Sequence, residues 1–451
     1  MPFDRRRFLT SATAAAVLTP QALRAAPLPS ARGRDAARYG VRADSEADQT
    51  RALQRAIDDA ATSGAPLALA PGTYRTAKLT LPAGTRLVGA GPATRLKLAD
   101  GDALLQGNGG DDIALADLTL DGGGRPLPPR RGLVHLVHAR NLRISDCRFE
   151  STGGNGLWLE GCSGTLRGST FTGIGRSAVV SFDGAGLLVA QNVILDAADN
   201  GIEILRNAIG DDGTQVIDNR IENISAGPGG SGQHGNAVVV FRAGNVIVRG
   251  NRVRNCDYSA VRGNSAANIQ IAGNSAVDVR EVALYSEFAF QGAVIAHNTV
   301  DGAAMGVSIA NFNEGGRLCV VHGNLIRNLI PKRPPATAPD DEAGVGIGVE
   351  ADTAVTGNVI ENAPRIGILA GWGKYLRDVT ITGNVIRDAP IGIGVSVVDG
   401  AGTALVGNNL ISGARRAAVA GFDHALPVTG DLTREGASRL PQVALHGNVV
   451  R

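Results

Sequence analysis

An all-β solenoid, wound from stacked coils of short strands behind a small α-helical cap, is the fold class that the sequence predicts. Three observations carry that expectation. From about residue 190 the chain cycles through alternating apolar residues, an Asn most often preceded by Gly, and an apolar pair. Asn192, Asn219, Asn251, Asn274, Asn298, Asn324, Asn358, Asn384, Asn408 and Asn448 hold the repeating place, and most gaps run 23 to 27 residues. Units of that size cannot bury an apolar face alone and must stack. Glycine is abundant, 61 of 451 residues, while aromatics make up 4% and charged residues 19%; small and β-branched residues suit tight coils better than a helical core.

The first element, residues 1–26, reads as an export signal. Asp4-Arg5-Arg6-Arg7-Phe8-Leu9-Thr10 leads into an apolar run from Ala12 to Leu18, with Ala25 and Ala26 as small residues for cleavage. Paired Arg before Phe-Leu marks the twin-arginine variant. The expected partner during export is therefore the twin-arginine (Tat) translocon, and the expected destination is the periplasm or the exterior. The apolar run is too short for a stable membrane span. The chain carries 44 Lys and Arg against 42 Asp and Glu, a formal charge of +2. Removing the signal takes four Arg and one Asp and leaves −1, that is 40 against 41. Such a surface has no basic field for nucleic acid.

Residues 34–110 form the expected cap and first coils. Asp48 is a helix N-cap candidate, Leu53, Ile57 and Ala60 recur on one helical face, and Thr62-Ser63-Gly64 ends the helix. A helix there covers the open apolar end of the stack. Residues 111–451 are the repeats. In each coil an apolar strand is followed by the Asn, which makes a tight bend in the left-handed conformation while its amide bonds the Asn of the next coil. Cys147, Cys162, Cys256 and Cys319 lack the paired spacing of a zinc site and read as small buried fillers.

The entry segment carries a resemblance. Tyr39-Gly40-Val41, Asp44, Asp48-x-Thr50, Leu53-Gln54, Pro71-Gly72-Thr73-Tyr74 and Leu87-x-Gly89 resemble the opening of pectate-lyase-superfamily proteins. With the signal and the repeats, the whole chain is similar to a family of Tat-exported repetitive proteins of no assigned activity. The resemblance implies a single-stranded right-handed parallel β-helix and a polysaccharide as partner. It does not specify the reaction.

Alignment of the third strands places the chemistry. One outward column reads Trp158, Val180, Glu203, Val239, Arg262, Tyr285, Ser308; the next reads Glu160, Phe182, Leu205, Phe241, Asn264, Glu287, Ala310, Glu350. Arg262 and Tyr285 fall on neighbouring coils, a pairing suited to elimination on a uronate. Arg262 would neutralise the carboxylate, Tyr285 and His234 would move the proton, and Glu203 and Glu287 would orient them. Arg206, Arg242, Asn264, Asn311, Asn313 and Glu314 are candidate substrate contacts. Glu203 and Glu287 lie three coils, roughly 14 Å, apart, which exceeds the spacing of a glycosidase pair. A hydrolase alternative rests on Asp211-Asp212 with Gly232-Gln233-His234-Gly235, similar to polygalacturonase-like enzymes, although the Gly before His is replaced by Gln233. A third reading makes the same strip a carbohydrate-binding or envelope scaffold. The Arg-x-Pro-x-x-Arg signature of calcium-dependent pectate lyases is absent, no Asp cluster supports calcium, and no metal or cofactor is expected.

Overall fold

The computed structural model describes residues 33–230, 232–334 and 343–451; the expected export signal and residues 335–342 of the Pro-rich insertion lie outside them. The described chain is a parallel β-solenoid of about 14 turns. Each turn gives one strand to each of three sheets. Sheet I has 16 strands, from Arg34–Asp35 to Val443–His446; sheet II has 15, from Gly72–Thr76 to Val449–Val450; sheet III has 15, from Leu79–Thr80 to Leu426–Pro427. Alternation turns one side of every strand inward. Ile202, Val238, Val261 and Leu284 therefore stack rung on rung, all essentially inaccessible. Phe149 lies flat on Phe171, ring centroids 4.4 Å apart.

The corner between sheets I and II holds the Asn ladder. Asn251 donates its backbone N–H and its Nδ2 to Oδ1 of Asn274, each at 3.0 Å, and Nδ2 also reaches the Val216 carbonyl at 3.0 Å. The same pattern links Asn192, Asn219, Asn251, Asn274, Asn298, Asn324, Asn358 and Asn384. Two details differ from expectation. The ladder continues through Asn409, not Asn408, because Asn409 is the buried amide that meets Asn384 and Asn448. The left-handed residue is the one before each ladder Asn: Gly250 at φ 69°, Gly273 at φ 65°, Asn408 at φ 55°. The bend thus falls one position early, which explains the Gly and frees the Asn to point its amide into the stack.

Both ends are covered. The helix Thr50–Thr62 buries Leu53, Ala56, Ile57 and Ala60 against the first coils. Asp48 sits one residue outside the N-cap position, held by Gln49, and accepts the Thr50 N–H at 2.9 Å. At the other end Asp431 caps the helix Leu432–Glu435 and accepts from the backbone of Ala418 and Val419 on the last long strand of sheet III. All four cysteines are free and buried; burial pushes the Cys147 thiol up to about 12. A buried thiol of that kind is a filler, not a nucleophile.

Candidate functional site

Sheet III presents the outward column that the aligned strands define. Backbone register pairs Trp158 with Val180, then Glu203, Val239, Arg262, Tyr285 and Ser308 in succession. Arg262 and Tyr285 are direct neighbours, and the guanidinium carbon lies 5.0 Å from the phenol centroid. Glu203 and Glu287 are three rungs apart.

Arg262 is a clamp. Its Nε and Nη2 donate to the two oxygens of Glu287 at 2.7 and 3.1 Å, and Nη1 donates to Glu281 at 3.2 Å and to the Gly232 carbonyl at 2.9 Å. Its side chain is only 14% exposed and those of the two glutamates 4% and 3%. An outward Arg would ordinarily be removable at little loss of stability; this one is not, because it neutralises two buried carboxylates. Its nitrogens are committed within the protein and do not wait for a substrate carboxylate. The contact with Gly232 also fastens the Gly-rich turn. Gly232 has φ +118°, and a Cβ there would lie 2.0 Å from Nη1 of Arg262, so only glycine fits. Tyr258 donates to the Gly230 carbonyl at 2.7 Å and Asn236 to that of Gly232 at 2.9 Å, completing the anchorage.

The turn so held presents His234. Nδ1 of His234 lies 2.6 Å from the buried carboxylate of Asp199, which Asn200 and Arg176 also approach, at 3.0 and 3.5 Å. One rung face away, half-buried Glu203 accepts from Ser177 at 2.7 Å and Asn200 at 2.6 Å. Burial raises the Glu203 carboxyl above its ordinary range; the bonds from Ser177 and Asn200 oppose this, Asp199 adds to it, and His234 pulls the other way. A carboxyl raised by folding stabilises the fold while protonated. That contribution is lost as pH climbs from the ordinary carboxylate range through the folded value. Glu203→Gln keeps an acceptor for Ser177 and Asn200, so it should flatten this part of the stability–pH profile and be the more stable form at alkaline pH. Urea unfolding across the acid-to-alkaline range checks this; an unchanged slope contradicts it.

Beyond Tyr285 a cavity of about 330 Å³ opens on the same face. Tyr285 and Ser308 floor it, Asn311 and Asn313 enter from the turn after strand Met305–Ile309, and Glu350, Trp372 and Tyr375 close the far side. Asn311 holds its turn at φ 68° and accepts from the Phe288 N–H at 3.3 Å. Glu314 is exposed, engages Asn313 at 3.2 Å, and does not line the cavity. Asn264 is spent on Glu287 and Ser265. Arg206 and Arg242 sit at the far end of the strands, donating to the carbonyls of Gly184 and Asn207 at 3.2 and 2.8 Å.

Asp211 and Asp212 lie apart from His234. Asp211 ends the strand Ile202–Asp211 and Asp212 follows it, whereas His234 bonds Asp199 just before that strand begins. Asp211 accepts from Asn245 at 2.7 Å, and Asp212 is buried at the corner, its carboxyl raised by burial against the bonds from Thr214. A whole strand separates the pair from the imidazole. Asp199 and Glu281 are the residues that sequence reasoning missed. Both stand just before third strands, in one column with Gly235 and Tyr258, joined by successive backbone bonds; shifting the strand alignment one place upstream would have exposed them. Among the described residues no group of three or more His, Cys, Asp or Glu is placed to hold a metal ion, and no helix is long and apolar enough to cross a membrane.

Three sheets wound from parallel coils, an internal Asn ladder and an outer face carrying the polar column define a β-helix with a candidate site on its surface. Residues 108–208, 155–328 and 207–377 each match the family described as right handed beta helix region, together more than half of the chain. The chain belongs to that family. No curated protein matches the sequence. Among solved structures it is similar to the N-terminal fragment of gene product 12 of bacteriophage phi29, at 16% identity over 86% of this chain and 69% of that one, TM-score 0.52. It is similar also to the catalytic unit of a thermostable GH87 α-1,3-glucanase from Streptomyces thermodiastaticus strain HF3-3, at 16% identity over 93% and 69%, TM-score 0.50. These likenesses are of fold.

Proposed function

We propose that this is an exported polysaccharide-active protein that binds a glycan along the outer face of sheet III and cleaves it by elimination at a uronate residue. The cavity beside Tyr285 carries the reading. Trp372 and Tyr375 offer aromatic faces to the apolar side of a sugar ring, while Asn311, Asn313, Ser308 and Glu350 offer hydrogen bonds to its hydroxyls. The glucanase of similar fold acts on a polysaccharide, which agrees with the substrate class.

Three rungs away the acid–base pair supplies the chemistry. His234, oriented by Asp199, takes the proton α to the uronate carboxylate. The carbon–oxygen bond at the adjacent position breaks, the electron pair leaves on the glycosidic oxygen, and a carbon–carbon double bond remains. Glu203, whose carboxyl burial raises above its ordinary range, returns a proton to the leaving oxygen. With Arg262 committed to Glu281 and Glu287, the cation facing the uronate in this reading is Arg176, 32% exposed beside Asp199.

Incubation with uronate polymers should generate the ultraviolet absorbance of an unsaturated product, lost in His234→Ala and Glu203→Gln. Trp372→Ala should weaken glycan binding about tenfold, the loss of one aromatic anchor, read by calorimetry. Absence of both turnover and binding on every uronate polymer overturns the proposal. A second reading, a non-catalytic binding strip for carbohydrate, draws on the internally satisfied Arg262–Glu281–Glu287 cluster; binding without absorbance selects it.

A further inference from the structure

The same face carries a second recess, near its N-terminal end. A cavity of about 420 Å³ lies across the first three strands of sheet III, lined by Thr80, Gln106, Asn108, Arg131 and His135 among others. Its size suits a small polar ligand. His135 is 7% exposed, yet its Nδ1 has no hydrogen-bond partner; the neighbouring Trp158, 6% exposed, likewise leaves Nε1 unpartnered. The two rings are stacked, centroids 6.3 Å apart. Buried polar atoms are nearly always satisfied, and each orphan marks a group kept for a purpose or a missing partner. Burial, then Arg131, hold the imidazole below its ordinary pKa against the pull of Glu160 and Asp102, which favours the neutral ring, whose one bare nitrogen is an acceptor. Arg131 lies 3.3 Å from Asp102 at the rim, and Arg130 lays its guanidinium over Trp158 and Phe182 at 5.9 and 5.0 Å.

We propose that this recess is a second station for the glycan, taking an acidic sugar residue whose hydroxyl donates to His135 and whose carboxylate faces Arg131. The inference rests on the reading of sheet III as the glycan-binding face. His135 is six rungs from Tyr285 in the register of the sheet, roughly 29 Å at ~4.8 Å per rung. A chain long enough to span that distance engages both recesses at once; a shorter one occupies a single recess. Two linked contacts raise affinity without new chemistry at either.

Calorimetry with galacturonate, mannuronate and glucuronate oligomers of increasing length tests this on the full chain. The wild type should show affinity rising about tenfold or more once the oligomer spans both recesses. His135→Ala and the surface variant Gln106→Ala should lose that rise and keep their affinity for short oligomers, whereas Trp372→Ala should weaken the short ones. Normal length dependence in both His135→Ala and Gln106→Ala, with binding intact, overturns the second station and leaves the proposed function standing. A wild type that binds no oligomer of any length overturns the proposed function and the station with it.

Discussion

Replacing Asn274 by Leu should destabilise the protein by about 4 kcal/mol, through four hydrogen bonds lost to three partners at one buried point. Asn251 loses the acceptor for both its backbone N–H and its Nδ2; the Val248 carbonyl loses its donor; Asn298 loses one of two donors. Leucine is similar in size, so the effect isolates hydrogen bonding from cavity formation. Each stranded buried group costs about 1–3 kcal/mol. Because each coil touches only its neighbours, damage should be local. Amide exchange should quicken first in the coils between Asn251 and Asn298, before the helix Thr50–Thr62 is affected. A loss below about 1 kcal/mol in equilibrium unfolding would mean that the ladder decorates the corner without holding it.

Arg262→Met should be nearly as damaging, at about 3–5 kcal/mol, the usual result of stripping one partner from a buried ion pair. Methionine replaces the apolar stem and leaves Glu281 and Glu287 facing each other. Burial already holds the Glu281 carboxyl above its ordinary range while Arg262 and then Arg333 oppose it and Glu287 adds to it. Without the guanidinium the shift grows. The folded form then binds a proton that the unfolded chain releases, so stability falls as pH rises from the ordinary carboxylate range through the folded value. The variant should approach the wild type in acid and separate from it toward neutral and alkaline pH. Glu281→Gln in the same background should recover part of the loss. A pH-independent deficit, measured by thermal unfolding at several pH values, would rule out this electrostatic account.

The architecture was legible because period and polarity repeat many times along the chain. The outward column from Trp158 to Ser308, the cap helix and the mutual consumption of ladder amides follow from strand alternation and a 23-to-27-residue cycle. A choice between adjacent residues was less legible. Asn408 and Asn409 are identical letters, and only the position of the left-handed bend assigns burial to the second. The site was half visible. Its outward strand residues could be aligned, but Asp199 and Glu281 stand in the turn column, where the repeat is looser. Arg262 was placed correctly and given a different role, since an outward position says nothing of how many carboxylates will close over it.

Nine links of the ladder keep one hydrogen-bond pattern although the intervening chain varies from 23 to 39 residues. All of that variation is accommodated elsewhere. The Gly-rich turn and the Pro-rich insertion fall between sheets II and III, and the segments 311–316 and 424–441 between sheets III and I. Register and length variation are therefore handled at different corners of the triangle. Because the backbone of Asn328, Leu329 and Ile330 still bonds to neighbouring coils, a foreign peptide spliced after Lys332 should ride on the scaffold without shifting the rungs beneath it, so that the molecule can vary at its edges while its internal ruler stays untouched.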